Sequence, residues 1–474
     1  RLRLLLAVRK ARPTDDHWIR HFLKDPDPDI QFESLRWIAD ERLVSYLGAL
    51  ESMLIDSTID YRRFEALLAT WNTLSGNPRD GVTEPKMLLQ RVRDPRTPPR
   101  TRAYALRLLD PRHAGLSPEL CDELAGTGDR VLLTELTRSL AVRGTPDARR
   151  RLLGIAMDAE LPNAIRADAI AGIAPDGKDA TAALLQLAGA ENRTLRNEAL
   201  RSLRFAELDE KQRTRLQNLC SRFESSRDLL AAVIDPESLQ KGRPDPSDIE
   251  AWQQRLAAIP GSADPAAGRR IFHHARVGLC ANCHRHQGRG NVVGPDLSAA
   301  SNQGNRLRLL HALLEPSRDV DPQYYPWTLV TEDGRAFTGI LLRDGGGGTE
   351  YFRDNQGREQ KFLTEEIVTR KPLTTSMMPD GLADLMTDRE IRDVVAFLDE
   401  ATDDGNAVVV NEAIDSEEEA SERFLGQWWL DFADGYGGWL DVTSSHEREA
   451  GGGLQVQLLW RVGSARGVSD VQLQ

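Results

Sequence analysis

Apolar residues recur one-sidedly along the first half of the chain. Leu43, Tyr46, Leu47, Leu50 and Leu54 fall on one face of a 3.6-residue period, and so do Phe64, Leu67, Leu68 and Trp71. Proline-containing joints, KDPDPDI, RDPRTPP and RGTPDA, separate such stretches. There proline is expected to end one helix, while Asp, Thr or Ser caps the next. From about residue 324 the period changes to two. WTLV and AFTGILL flank TEDGR, whose Asp-Gly pair favours a hairpin turn, and EYF and KFL flank RDNQGREQ. A small antiparallel sheet over about 324–373 is expected, with glycines 345–348 as a flexible tip. Alternation returns near the C-terminus in LQVQLLWRV.

A short pattern repeats within the helical half: Arg or Gln, two variable positions, a small residue, then Leu or Ile. It begins at Gln31, Arg63, Arg102, Arg166 and Arg196, with a weaker copy near Thr137. The small residues are Ser34, Ala66, Ala105, Ser139, Ala169 and Ala199, spaced by 32, 39, 34, 30 and 30 residues. Self-similarity at that period marks a stacked helical array. LKDPDPDIQFESLRWIA and AENRTLRNEALRSL resemble the HEAT-repeat family. The resemblance implies a curved solenoid over residues 1–225 that binds proteins or neighbouring domains; a plain helical spacer is the alternative. Nothing in this half looks catalytic.

Bulk properties narrow the classes. The chain has 474 residues, which implies two to four domains. Its net charge of -12 argues against a general nucleic-acid binder, which needs a basic field. No apolar run approaches the ~18 residues of a membrane span. The opening RLRLLLAVRKARP holds only a short apolar run, Leu4 to Val8, too brief for a signal peptide. Because the chain begins at Arg1, a signal or a whole upstream domain is expected before it. The chain has four cysteines, too few for a disulfide scaffold at this length. Cys121 and Cys220 sit far apart in helical-looking sequence and read as buried small hydrophobes.

The other two cysteines stand together in GLCANCHRHQG, as Cys280 and Cys283 with His284 directly behind. Zinc would need a fourth ligand and a second Cys pair, which is missing. A dithiol redox motif belongs at a strand-to-helix turn, but here a helical stretch, Ala266 to Val277, precedes the motif. The third reading is covalent c-type haem. Two residues between the thiols let each sulfur reach one of two adjacent vinyl groups, and His284 then projects under the iron. Downstream, NVVGPDLS offers a carbonyl, that of Pro295, to accept a hydrogen bond from His284 Nδ1 and turn Nε2 towards iron. TTSMMPDGL offers a sixth ligand, Met378, with Met377 as the near alternative; Pro379 stiffens that loop. Met386 reads as core. His273, His274, His286 and His311 read as solvated or structural. Arg285, Arg289 and Arg306 are candidates to pair with haem propionates.

DPAAGRRIF, CANCH, GPDLS, DGRAFTGIL, SMMPDGL and LMTDREIRDVVAFL together resemble a bacterial haem-binding domain often fused to HEAT-like repeats in large, exported, dehydrogenase-associated proteins. The resemblance covers about 140 residues. It implies a cytochrome c architecture in which a first helix carrying Gly268 and Phe272 crosses a last helix carrying Val395, Phe397 and Leu398. It also implies Cys280 and Cys283 as attachment sites, His284 as proximal ligand and Met378 as distal ligand. Met377 stands where the family pattern has Leu.

The expected architecture is therefore multidomain. An all-α HEAT-like solenoid (1–225) and a helical linker (226–262) precede a mainly α cytochrome c domain (263–402) with the β insertion. An acidic linker (403–423), containing DSEEEASER, leads to the start of an all-β domain (424–474). Trp428, Trp429, Trp439 and Trp460 crowd there, in a stretch resembling the opening of a jelly-roll domain of carbohydrate-processing proteins. Those rings suit core packing, with sugar contact as the alternative. Too few strands remain for a closed sandwich, so the chain is expected to be a piece of a longer protein. The expected function is electron transfer through haem c, from a sugar or alcohol dehydrogenase donor to an external acceptor, in a periplasmic or otherwise extracytoplasmic setting. The alternative is an interaction scaffold in which haem is structural or sensory. Enzymatic activity is left open, with any catalytic domain on a missing segment or a partner.

Overall fold

A computed structural model of the chain describes residues 1–11, 17–75, 85–303 and 306–400, with four strands beyond residue 425. The described part up to residue 257 is helical. Proline marks helix starts as well as ends: Pro95, Pro236 and Pro316 each stand two residues past a helix. Pro28, Pro99, Pro118 and Pro146 sit in the first turn of their helices. Asp27, Ser117 and Thr145, just before three of them, accept hydrogen bonds from first-turn N–H groups. A first-turn proline forfeits no intrahelical bond, and its φ suits the helix.

The recurring pattern lies on the helices Pro28–Asp40, Tyr61–Leu74, Pro99–Leu108, Arg130–Arg143, Asn163–Ala171 and Arg193–Leu203, each packed on the next. A second row, Leu47–Met53, Pro85–Arg93, Pro118–Gly126, Pro146–Met157 and Lys178–Leu187, packs against the first. The chemistry of the pattern explains the packing. Ser34, Ala105, Ser139, Ala169 and Ala199 are fully buried, and their size permits close helix approach. The leading Arg or Gln ties off the preceding helix. Arg102 Nε donates to Val92 O (2.9 Å), Arg166 Nε to Ala156 O (3.0 Å), Arg196 Nη1 to Ala190 O (2.8 Å), and Gln31 Nε2 to Asp25 O. Each carbonyl lies at or just past a helix C-terminus, where it has no intrahelical partner.

This first core runs from Leu5 to Val233. A second gathers Trp252, Leu256, Ile271, Phe272, Leu310, Met386, Val394 and Phe397. Its helices are Ile249–Ala257, Pro265–Phe272, Arg306–Leu314 and Asp388–Asp399. Within it a small hairpin, β1 (Arg285–His286) and β2 (Arg289–Gly290), precedes a five-stranded sheet. The sheet comprises β3 (Pro326–Thr331), β4 (Ala336–Gly346), β5 (Thr349–Arg353), β6 (Glu359–Leu363) and β7 (Ile367–Pro372). All its neighbours are antiparallel, in the order β6-β5-β4-β3-β7. Leu329, Phe352 and Phe362 form its apolar face. The expected Asp-Gly turn joins β3 to β4 with Gly334 at φ +80°. Gly347 and Gly348, both at positive φ, join β4 to β5 as a two-residue loop.

Beyond residue 425, β8 (Gly426–Asp431), β9 (Gly437–Ser444), β10 (Leu454–Trp460) and β11 (Ala465–Val468) pair antiparallel in sequence order. The acidic run 415–423 lies outside the described residues, as do the side chains of Trp428, Trp429, Trp439 and Trp460. Cys121 is buried in the first core, Cys220 is half-buried against it, and both are free thiols. Among the described residues no helix is long and apolar enough to cross a membrane.

Candidate functional site

The helix Pro265–Phe272 starts at Asp264, whose carboxylate accepts from Ala267 N (3.0 Å). It lies directly on Asp388–Asp399. A Cβ on Gly268 would collide with the Asp393 carbonyl and sit 2.8 Å from Phe397 Cβ, so only glycine allows the contact. After this helix the chain turns sharply. Gly278 passes against the Ile271 carbonyl, and Leu279 adopts φ +59°. The expected helical stretch to Val277 thus stops at Phe272, and the change of direction leads into the Cys-His segment.

That segment opens as one helical turn. The amides of Cys283 (3.1 Å) and His284 (2.9 Å) both donate to Cys280 O. Positions i, i+3 and i+4 share a helical face, so the turn places both thiols and the imidazole on one side. β1 and β2 then reverse the chain through Gln287 (φ +46°) and Gly288 (φ +79°). The returning strand is laced back to the turn. Asn291 N donates to Ala281 O (2.9 Å), Gly294 N to Cys283 O (2.8 Å) and Leu297 N to Arg285 O (2.8 Å).

That lacing brings Pro295 O to 2.9 Å from His284 Nδ1. A carbonyl only accepts, so Nδ1 carries the proton and the Nε2 lone pair is free. Burial holds the imidazole below its usual pKa range, against the opposing pull of the Pro295 carbonyl and Asp296, so the ring is neutral near pH 7. Gly294 lies under the ring, where an added Cβ would sit 2.6 Å from Cε1. Burial pushes the Cys280 thiol up to about 12 and raises that of Cys283. A redox dithiol has the opposite bias, a stabilised thiolate.

The Met loop closes another side. Leu373 N donates to Pro326 O (2.7 Å), Ser376 N to Ser317 Oγ (3.1 Å) and Met378 N to Ser376 Oγ (3.0 Å). Met378 is half-buried and packs against the second core, as Cys280, Ala281, Leu297, Leu309 and Leu382 do. Met377 is also half-buried, but it is not among the residues packed on that core. Met386 is fully buried. His274 and His286 are buried, each pushed down to about 4, mainly by burial. His286 packs 4.4 Å from the Phe397 ring. His311 Nδ1 lies 3.0 Å from Arg318 Nη1.

The three candidate arginines separate. Arg306 pairs with Asp399, and Arg289 is buried on Glu135 (2.6 Å). Arg285 Nε is buried without a hydrogen-bond partner, beside Glu65. The sheet also reaches the site: Arg353 Nη1 donates to Val292 O (2.6 Å) and Asn291 Nδ2 to Gln356 O (3.2 Å).

Sequence reasoning missed how the site is held. Glu135, Asp168 and Glu198, on three successive pattern helices, face Arg289 of the hairpin and Arg269 and Arg270 of the helix before the Cys-His segment. Glu135 takes Arg289 along with Arg107 (2.7 Å) and Arg138 (3.0 Å). Asp168 takes Arg138 (3.0 Å), Arg269 and Arg270 (3.7 Å). Glu198 takes Arg270 (2.7 Å) and Arg201 (2.5 Å). Glu390, at the start of Asp388–Asp399, takes Arg201 (2.7 Å) and Arg204 (2.8 Å). The signal was present: an acid stands just before the small residue in Arg166-Ala-Asp168-Ala and Arg196-Asn-Glu198-Ala.

Among the described residues no three His, Cys, Asp or Glu side chains converge to hold a metal ion by themselves. No protein-family model matches the chain, and no curated protein matches it.

Proposed function

We propose that the chain is an electron-transfer protein carrying a covalent c-type haem. Cys280 and Cys283 would form the thioethers, with His284 Nε2 and Met378 Sδ as axial ligands. The observation that carries this reading is the hydrogen bond between His284 Nδ1 and Pro295 O. It directs Nε2 outward from a turn whose two thiols share its face.

The residues suit such a group. Cys280, Ala281, Leu297, Leu309, Met378 and Leu382 are half-buried apolar residues on the second core, the kind of surface that a flat macrocycle would cover. Gly294 keeps the space beside the imidazole free of a side chain. Bound there, haem iron with a His/Met ligand pair supplies reversible one-electron chemistry at raised potential. Held by both His284 and Met378, the iron would have no open position for substrate. The neutral imidazole needs no proton loss before ligation. The arginines divide the remaining work. Arg289 fastens the hairpin to the helical array, and Arg285 is left to face an anionic edge of the cofactor.

The paired helical rows fit a HEAT-like solenoid, and the second core fits a cytochrome c domain with a β insertion. The dehydrogenase donor, the external acceptor and the extracytoplasmic setting come with the family resemblance. The scaffold reading has less support, because the acidic edge of the array is occupied by the chain's own Cys-His segment.

The test is absorption spectroscopy and redox titration of protein matured with haem. Met378→Ala should lower the potential and open the iron to carbon monoxide, while Met377→Ala should leave both unchanged. Protein that matures colourless, or a Met378→Ala variant with unchanged spectrum and potential, would overturn the cofactor or the distal ligand respectively.

A further inference from the structure

The joint between the helical array and the Cys-His segment is out of electrical balance. Its four carboxylates, Glu135, Asp168, Glu198 and Glu390, are 2%, 7%, 1% and 0% exposed. The seven arginines paired with these carboxylates leave three positive charges over. Neighbouring acids do not close the gap. Asp393, which faces Arg201, has Arg392 at 3.9 Å, while Glu65 and Asp296, near Arg107, share Arg285 and so narrow the excess without removing it. Buried charge without counter-charge is expensive, and an arginine cannot relieve it by losing its proton.

Part of the excess lies in one place. A cleft between the helices Arg130–Arg143, Asn163–Ala171 and Pro265–Phe272 is lined by Arg138, Arg269, Arg270 and Arg289, with Asp168 and His273. Its volume of about 40 Å³ suits a small ion with a water rather than an organic ligand. Four guanidiniums line it and share three carboxylates, Asp168 in the cleft with Glu135 and Glu198 beside it, so one positive charge is left over there. Burial and then the charge of Arg269 hold His273 well below its usual range, so the ring is neutral. Burial and the charge of Arg138 likewise pull Arg269 down to about 10, as expected where positive charge is crowded.

We propose that this cleft binds a small inorganic anion of about the size of chloride, held by Arg138, Arg269, Arg270 and Arg289, as the missing counter-charge of the joint. The site is independent of the cofactor reading, and its failure would leave that reading untouched. It makes the array and the Cys-His domain a single anion-dependent unit.

The test uses the full chain. Thermal unfolding midpoints are measured in sodium chloride, sodium bromide and sodium gluconate at equal ionic strength. Chloride and bromide should raise the midpoint saturably over gluconate, because an ion bound only by the native state stabilises it by mass action. Bromide should appear in the cleft by anomalous scattering. Val142, 43% exposed at the cleft edge, can be changed without touching the core. Val142→Glu should supply the charge internally and abolish the halide increment. Should that variant not fold, Arg269→Gln must abolish the increment by weakening the site. Superimposable midpoints in the three salts, an increment appearing only at molar halide, or an increment surviving the variant tested would each overturn the proposal.

Discussion

Gly294 shows how little room the imidazole has. An added Cβ would stand 2.6 Å from His284 Cε1 and 2.9 Å from Nδ1. Gly294→Ala must therefore push the ring off the Pro295 carbonyl or shift the backbone, at about 1–3 kcal/mol. The expected outcome is a lower urea midpoint and, in the proposed haem-loaded form, a changed absorption spectrum. A stable variant with a native spectrum would show that the ring is not held from below. At this scale the site was legible in advance. Cys280, Cys283, His284 and the Pro295 carbonyl are close in sequence, and one turn plus one hairpin suffices to join them. The fates of Arg285, Arg289 and Arg306 were not legible, because each depends on a partner from a distant segment or on the lack of one. Arg289 meets Glu135 across 154 positions.

At the scale of elements, the contact between Pro265–Phe272 and Asp388–Asp399 contains a titrating group. Asp393 accepts from Asp264 N (2.9 Å) and is 3% exposed. Burial pushes its carboxyl up to about 6, against the opposing pull of that hydrogen bond. The native state therefore holds this proton at pH values where the unfolded chain has lost it. Stability from this group is present below about pH 4 and is lost as pH rises through about 6. The decline is about 2–3 kcal/mol at most. Asp393→Asn keeps an acceptor for the Asp264 amide and removes the charge. The difference between variant and parent in urea denaturation should grow from pH 4 to pH 7 in favour of the variant. A flat difference would refute the buried carboxyl. Glu390, held down to about 2 by Arg204 and Arg201 against the opposing effect of burial, acts with opposite sign and only below about pH 4.5. The hydrophobic periods announced these helices, and the proline joints announced their limits. The expected caps are there, Asp27 and Thr145, and proline stands on both sides of the joints: Pro95 follows the helix Pro85–Arg93, while Pro28 and Pro146 begin helices.

At the scale of the molecule, the helical array and the Cys-His domain are joined by buried ion pairs. Glu390 is the centre of one set, with Arg201 3% and Arg204 0% exposed at the side chain. Glu390→Gln leaves two buried guanidiniums short of a charge while keeping a polar group for the helix cap. The expected loss is about 3–5 kcal/mol, read from urea unfolding followed by circular dichroism. A loss below about 1 kcal/mol would mean that the joint is wet and weak. Of the two kinds of partner expected for the array, other proteins or neighbouring domains, the second is met along Glu135, Asp168 and Glu198, which hold a later part of the same chain.

By itself the sequence determined what neighbours along the chain can settle. These are the helices and their repeat, the hairpins of the insertion, and a Cys-His turn with its own carbonyl to orient the ring. Such features arise from periods, caps and short loops, whose physics is local. Only the tertiary structure decided that Met378, rather than Met377, packs on the second core, and that buried arginines of one region meet acids of another. Those outcomes depend on which surfaces come together and exclude water, and burial turns an unremarkable surface charge into a strong constraint.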